Sequence, residues 1–554
     1  MDREQALQAL GLTPREYLLK RAVPMVGAGI VVAAALWFVA TPWLPGFLGL
    51  LLPPLVVAFA VAVAVLYPAS AADRRRAQID DALPFFMTHF GVLSTSNLPR
   101  TEIFRILGQK KEYQALGDEL RRIHSLVVDW KMSLPEACRF IGKRSPSNIF
   151  ADFLERLAHA METGQDLEQF LADEQSVVMK EYATLYETSI YQIENWKDLY
   201  VSVVMSGAFF VIFAVITPVL TGNSPERLLM GVLAFMLFME VILVMVLRLR
   251  LPADRLLHRL DVETRERRLR RRALQIAGAL TLLLFPLLYL VTPLPPGLVL
   301  GASVTPMAVV GVIARRQEEA IKRREDNYAA FIRSVGASAA ARGGSLRDVL
   351  KQVRHHNFGP LGRMVSSLYA RLSWRIDDRR AWKHFSAESG SDLVDAFTDM
   401  FIEGVNTGGK PDRIGQIISG NVVRVLNLRK ARYSTAGTFR GIVVGLTASM
   451  AFIMFLGVGL LGLLGDLFSG TPGTSNELNP LELNFDADVA LVEELIFWLL
   501  LIHSLAAGLL MKMVDGGSLT AGLALFVALL WVSVALAFAS DQVLPRVFDF
   551  GGAG

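Results

Sequence analysis

Three groups of residues in this 554-residue chain have a spacing that could carry chemistry. Gly404-Val405-Asn406-Thr407-Gly408-Gly409-Lys410-Pro411 follows a phosphate-cradling P-loop up to its last position. There Pro411 stands in place of the Ser or Thr whose hydroxyl would hold magnesium, and no β-strand is expected ahead of it. It reads as a Gly-rich turn between two helices. Gly457-Val458-Gly459-Leu460-Leu461-Gly462 has the letters of a dinucleotide fingerprint but lies inside an apolar run, where a pyrophosphate has no place. There, and at Gly441 and Gly445, small residues are expected to let helices approach closely. Glu240 and His503 are ionisable groups inside apolar runs. Such groups are costly and are functional candidates by default, as a proton relay or as a hydrogen-bonded clamp. His355-His356 has no carboxylate or cysteine at ligand spacing and reads as a solvated surface pair. Cys138 is the single cysteine, which excludes an intramolecular disulfide and a Cys-based zinc site. No Ser-His-Asp, Cys-His or paired-carboxylate arrangement stands out. The expectation is a chain without catalytic, cofactor-binding or metal-ligating residues, and not an enzyme.

The elements that would position Glu240 and His503 follow from composition. Hydrophobic residues make up 53% of the chain and charged residues 19%. A helix that spans a bilayer needs roughly 20 mainly apolar residues. Nine runs qualify, near 22–41, 47–67, 199–220, 228–247, 273–291, 297–314, 441–464, 489–511 and 519–539. The fold class expected is all-α: a polytopic membrane protein with about nine transmembrane helices and two homologous cytoplasmic helical bundles. The polar stretches carry apolar residues at helical spacing, such as Leu83, Phe86, Phe90 and Leu93, and none alternates long enough to argue a strand. Orientation follows from Lys and Arg, which mark cytoplasmic flanks. Arg74-Arg75-Arg76, ten arginines between Arg248 and Arg272, and Arg315-Arg316 all fall on one side. The opposite loop 465–488 has acids and no Lys or Arg. The N-terminus and both polar domains are therefore expected inside and the C-terminus outside. The mixed, long leader before the first run does not read as a cleaved signal.

The chain also repeats itself. Adding 244 to the numbers of Trp130 to Gly164 lands on a similar stretch: Trp130-Lys131 on Trp374-Arg375, Ala137 on Ala381, Ser145 on Ser389, Phe153 on Phe397, and Thr163-Gly164 on Thr407-Gly408. The offset extends outward to the apolar runs, so the duplicated unit is a polar domain with its flanking spans, inserted in parallel. The expected order begins with a short amphipathic segment and two spans (1–67), a first cytoplasmic domain (68–198) and two spans (199–247). An Arg-rich linker (248–272), two spans (273–314) and a second cytoplasmic domain (315–438) come next. One span (439–464), an acidic external loop (465–488), two spans (489–540) and an external tail (541–554) complete the chain. The stretch from Val177 to Trp196 reads as a long amphipathic lead-in continuous with the third span.

Charge is unequal between the twins. The first domain, counted over 68–197, has 16 Lys+Arg against 19 Asp+Glu, the second 22 against 13, and the linker 10 against 4. Topology and anionic lipids account for cations next to spans. They do not account for a domain that is basic far from its spans, which points to a partner with an acidic face. Nucleic acid is not expected, since no aromatic-interleaved basic platform is present.

The paired helical domains resemble the F-type domains of type II secretion and type IV pilus platform proteins. The resemblance rests on Phe153-Leu154 through Thr163-Gly164 and on Phe397 through Thr407-Gly408-Gly409, and on the overall architecture. Bacterial members usually have about three spans, so this many spans and the long linker are closer to the archaeal branch, above all the archaellum platforms. Gln165 departs from a pattern in which a second glycine is common. The resemblance implies a platform without a nucleotide site of its own. Its partners would be a hexameric cytoplasmic ATPase and filament subunits (archaellins or pilins), and it would form a homodimer. Its expected ATPase contacts are Arg265, Arg267, Arg268, Arg270, Arg271 and Arg272, then Arg379, Arg380 and Lys383. An adhesive pilus or secretion platform is the alternative within the class, and a transporter with regulatory domains the alternative outside it.

Overall fold

The structure, a computed structural model, describes residues 13–40, 46–221, 225–250, 256–258, 260, 262, 264–342, 346–469 and 489–547. Among them every long element is a helix, and the only β feature is an isolated bridge between Leu257 and Ser391.

The chain enters at α1 (Pro14–Tyr17), where Thr13 and Glu16 cap each other reciprocally. It runs through a π-turn at Leu18–Ala22 into α2 (Val23–Ala40). Residues from Pro14 thus belong to one helical run with α2, and 1–12 lie outside the described residues. Next come α3 (Gly46–Ser94), α4 (Arg100–Gln109), α5 (Gln114–Val128), α6 (Leu134–Gly142) and α7 (Asn148–Glu162). Then follow α8 (Leu167–Thr221), α9 (Pro225–Arg250), α10 (Arg265–Val291), α11 (Pro296–Arg342) and α12 (Leu346–Val353). The last are α13 (Gly362–Ser373), α14 (Asp378–Ser389), α15 (Asp392–Asn406), α16 (Pro411–Ser469), α17 (Val489–Asp515) and α18 (Gly522–Val547).

Six described helical stretches are long and apolar enough to cross a membrane: Leu167–Val215, Arg265–Val291, Pro296–Ala341, Pro411–Gly462, Val489–Asp515 and Leu519–Ser540. The other three expected spans fall in α2, α3 and α9, where many side chains lie outside the described residues. α10 is almost uncovered by the rest of the chain, with Leu282 77% and Leu290 80% exposed. Apolar surface on that scale needs lipid or another protein against it. The chain is a multi-pass membrane protein. Most of the expected acidic loop, 470–488, and the end of the tail, 548–554, lie outside the described residues; 465–469 is the last turn of α16.

The chain divides into two compact bodies. The first comprises Met1–Leu185, Arg333–Gly343 and Met400–Asn421. Its core gathers Phe86, Phe90, Phe104, Phe150 and Phe153, with ring centroids 5.5–6.4 Å apart along α3, α4 and α7. Such edge and offset ring pairs add about 0.5–1.5 kcal/mol each beyond area burial. α6 starts with a capping box, Ser133 and Glu136 bonding each other's backbone N–H, and α7 is capped by Ser147. The second body comprises Tyr186–Ile332, Gly344–Asp399 and Val422–Gly554. Its largest apolar cluster joins α8, α9, α16, α17 and α18 through Tyr200, Leu243, Phe439, Met450, Leu500 and Val534. A smaller aromatic group, Phe331, Phe358, Trp382 and Phe385, fills the helical domain of that body.

Close helix contacts do occur at glycines, but not at Gly441, Gly445, Gly457 or Gly462. A Cβ on Gly441, Gly445 or Gly462 would meet nothing within 4 Å, and one on Gly457 only Ile212 at 4.0 Å. A Cβ on Gly311 would sit 2.1 Å from the Ala524 backbone nitrogen, and one on Gly522 would sit 2.6 Å from the Gly508 carbonyl. Tight seams therefore join α11 with α18, α17 with α18 and, at Gly336, α11 with α16. The sequence could not show this, because close approach depends on which face a neighbour covers.

Candidate functional site

The two Thr-Gly turns have the same local geometry. Thr163 and Thr407 each bond, through the hydroxyl, to carbonyls three and four residues back. Gly164 (φ 73°) and Gly408 (φ 85°) take the left-handed position that favours glycine. Gln165 and Gly409 then close the turn by donating to Ala160 and Gly404, both at 3.0 Å. So the turn itself does not need a second glycine. Gly409 is small for another reason: a Cβ there would lie 2.6 Å from the Thr95 hydroxyl. Lys410 is exposed at the start of α16, and the helix α15, not a strand, precedes the turn. This is a helix-stop motif rather than a nucleotide cradle. Among the described residues no three His, Cys, Asp or Glu side chains gather where a metal could sit. Burial pushes the Cys138 thiol up to about 12, so it is an inert core group.

Glu240 on α9 and His503 on α17 meet. His503 Nδ1 lies 2.5 Å from a Glu240 carboxylate oxygen, its Nε2 lies 3.1 Å from the Thr447 hydroxyl on α16, and Tyr200 of α8 stacks on the ring. All four groups are buried. Four apolar helices thus converge on one polar cluster, where Glu240, His503 and Thr447 each have the partner that an isolated polar residue in hydrocarbon would lack.

The basic residues expected to meet a partner divide by exposure. α10 is capped by Thr264, whose hydroxyl accepts from the Arg267 backbone. Arg265, Arg268, Arg271 and Arg272 are exposed, and Arg267 and Arg270 are half-buried. Arg267 also donates to the Leu260 carbonyl at 3.3 Å. Six arginines crowd the first two turns of a helix, the end where the macrodipole disfavours cations by about 0.3–1 kcal/mol each. Arg379, Arg380 and Lys383 are exposed on the first turns of α14. The linker ahead of α10 is not free: Asp392 N–H donates to the Leu256 carbonyl at 3.1 Å and His258 N–H to the Gly390 carbonyl at 3.2 Å. His355 and His356 are exposed, and His356 stacks on Phe358.

Two clusters were not anticipated. In the second body, buried Glu318 holds buried Lys512 and accepts from the Ser518 backbone N–H at 2.6 Å; Lys512 also meets Asp515 at 2.9 Å. Buried Arg432 donates to the Val514 and Met513 carbonyls at 2.7 and 2.9 Å. In the first body, one Glu403 oxygen lies 2.9 Å from His89 Nε2 and 2.8 Å from Lys110 Nζ, and His89 Nδ1 lies 2.8 Å from the Tyr113 hydroxyl. Burial alone would raise the Glu403 carboxyl, but His89 and then Lys110 outweigh it and hold it at about 2. A depressed folded value means the carboxylate stabilises the fold above its unfolded pKa, near 4.5, and that this is lost as pH falls toward 2. Glu403→Gln should cost about 2 kcal/mol at neutral pH, the size of a hydrogen bond to a charged group. Acid titrations followed by near-ultraviolet circular dichroism should separate wild type from variant at pH 7 and converge near pH 2. Parallel curves from pH 7 to 2 would refute the assignment.

Helical polar domains continuous with apolar spans, closed by paired Thr-Gly turns, define a multi-pass membrane protein of the F-domain class. The family model described as Type II secretion system (T2SS), protein F, matches residues 86–215. A curated protein of Methanocaldococcus jannaschii, described as flagella accessory protein J, is 34% identical over 553 residues, covering 98% of this chain and 97% of the relative. One from Methanococcus voltae with the same description is 32% identical over 547 residues, covering 97% of each. The chain belongs to the flagella accessory protein J family, the archaellum platform branch that the sequence resembled. No solved structure matches it.

Proposed function

We propose that the chain is the membrane platform of an archaeal type IV filament machine, the archaellum. A hexameric cytoplasmic ATPase docks on the start of α10, and its conformational cycle drives filament-subunit assembly and rotation. The observation that carries the docking surface is the crowd of arginines at the α10 N-terminus. Their self-repulsion and the adverse helix dipole cost stability, and a negatively charged partner offsets both. Arg379, Arg380 and Lys383 extend that surface. The domains act without a catalytic site of their own, as a homodimeric platform at an anionic membrane surface.

The same reading has nine spans in two parallel repeats, with the N-terminus and both helical domains inside and the C-terminus outside. Helix boundaries support the duplication: α7 and α15 begin at Asn148 and Asp392 and end at Glu162 and Asn406, and α8 and α16 begin at Leu167 and Pro411. Each pair keeps the offset of 244 seen in the sequence. Sidedness is supported by Glu318, which follows the basic flank Arg315-Arg316 and bonds the α17–α18 turn, so that turn shares its side of the membrane. α8 is one unbroken helix of 55 residues, about 80 Å long, that contains the lead-in Val177–Trp196 and the third span. A lever of this kind can carry domain motion into the bilayer.

The test is co-flotation of the ATPase with the liposome-reconstituted chain. Changing Arg267, Arg268, Arg270, Arg271 and Arg272 to Ala should weaken docking by at least tenfold and flatten its salt dependence, since screening acts on those charges. Equal flotation and an equal salt slope for wild type and variant would sink the docking surface.

A further inference from the structure

The second body holds a basic cleft of about 790 Å³ between α11 and the start of α13. Its charged lining is Arg316, Arg323, Arg324 and Arg363 against one acid, Glu319. That acid is engaged from outside by Arg315 at 3.2 Å. Arg324 is spent internally, on Glu266 at 3.0 Å and the Ser389 carbonyl at 3.0 Å. Arg316, Arg323 and Arg363 are exposed and have no ion-pair partner among the described residues. Three unneutralised guanidinium groups around one concavity repel each other, and an anion would relieve the repulsion. Arg363 lies in the first turn of α13, near the positive end of that helix's dipole.

Position selects the source of the anion. Arg316 stands two residues past Ala314, where the apolar run of α11 ends. At about 1.5 Å per residue it is about 3 Å beyond the hydrocarbon, and Arg323 about 13 Å. The headgroup layer is roughly 5–8 Å deep on each side. Side chains on a helix incline toward its N-terminus, so the guanidinium of Arg323 leans back toward that layer. Arg316 and Arg323 are two turns apart and share one face of α11. At the offset of 244 the first repeat has Ala72, Ile79 and Glu119 in these places, so the feature belongs to the second repeat alone.

We propose that this cleft binds a phosphate ester, supplied by the headgroup of an anionic lipid of the inner leaflet. Arginine suits the task because its planar fork can bond two phosphate oxygens at once. A bound headgroup would fix the second helical domain against the membrane at the exit of α11.

The test uses the full chain in a maltoside micelle, which carries no phosphate, titrated with fluorescent phosphatidylglycerol and read by anisotropy. At about fivefold per cation near a membrane surface, the triple variant R316Q/R323Q/R363Q should bind on the order of 100-fold more weakly. The variant R316K/R323K/R363K keeps the charges and should recover most of the binding, which shows that the site and not the fold was lost. R347Q/K351Q/R354Q removes three cations elsewhere in the same body and should stay within about threefold, because a generic charge effect falls off beyond a Debye length. Equal weakening in the two glutamine triples would overturn the proposal. So would competition by an uncharged glycosyl diacylglycerol as strong as that by unlabelled phosphatidylglycerol. Displacement by soluble glycerol 3-phosphate at the lipid's own concentration would overturn the lipid as the source while keeping a phosphate site. ATPase co-flotation should survive in R316Q/R323Q/R363Q, so this proposal and the docking surface on α10 fail separately.

Discussion

Glu240→Leu should destabilise the membrane bundle by about 3 kcal/mol, because it leaves His503 Nδ1 buried in hydrocarbon without its partner. Glu240→Gln keeps an acceptor for the imidazole and should cost about 1 kcal/mol. The double variant Glu240→Leu/His503→Leu removes both polar ends, and most of the loss should return, since an apolar pair of similar volume is often neutral where a broken pair is not. Thermal unfolding in lipid nanodiscs gives the three values, and the double-mutant cycle isolates the coupling. Motility then decides the role. A clamp predicts that the double variant is both stable and motile. A relay predicts that it is stable and immotile, because no titratable group is left. Additive single costs, with no recovery in the double variant, would mean that the pair is not a unit.

This pair also shows how far the sequence reached. Glu240 and His503 stood out individually, because ionisable residues in apolar runs are rare and expensive. Their partnership spans 263 residues, and nothing local encodes it. The helical nature of the chain, its apolar runs and the two Thr-Gly stops were legible because they depend on short-range rules of periodicity and backbone handedness. Gly409 looked like part of a turn consensus, yet its smallness answers to Thr95, which approaches from another helix. Gly441 and Gly445 had the spacing of a packing motif but face open space within this chain. Charges misled in the same way. Arg324 counted toward the excess of the second domain, although Glu266 and two carbonyls absorb it. Nothing in the sequence sets Glu403 apart from other acids, yet His89 and Lys110 converge on it. In each case the sequence states a residue's chemistry, and only the fold states which partner is present to use it.

Glu318→Ala should loosen the α17–α18 turn more than any other single change outside the bilayer. Lys512 is buried, and removing Glu318 leaves it with Asp515 alone. Stripping one partner from a buried charge typically costs about 3–5 kcal/mol, and the remaining acid places this case at the lower end, about 3 kcal/mol. The same change frees the Ser518 backbone N–H. It also empties the space beside Gly517, where a Cβ would now meet a carboxylate oxygen at 2.6 Å. Arg432 should hold the last carbonyls of α17 in either case, so the helix end persists while the turn opens. Hydrogen exchange of amides 516–521 reads this directly: a 3 kcal/mol loss corresponds to roughly 100-fold less protection. Glu318→Ala/Lys512→Met should restore most of that protection, because the buried cation is gone as well. If the turn is the joint between the second helical domain and the C-terminal hairpin, Glu318→Ala should cost filament assembly and leave the proposed ATPase docking on α10 unchanged. Unaltered exchange at 516–521 would mean that the hairpin is held by the α11–α18 and α17–α18 glycine seams alone, with Glu318 serving only to neutralise Lys512.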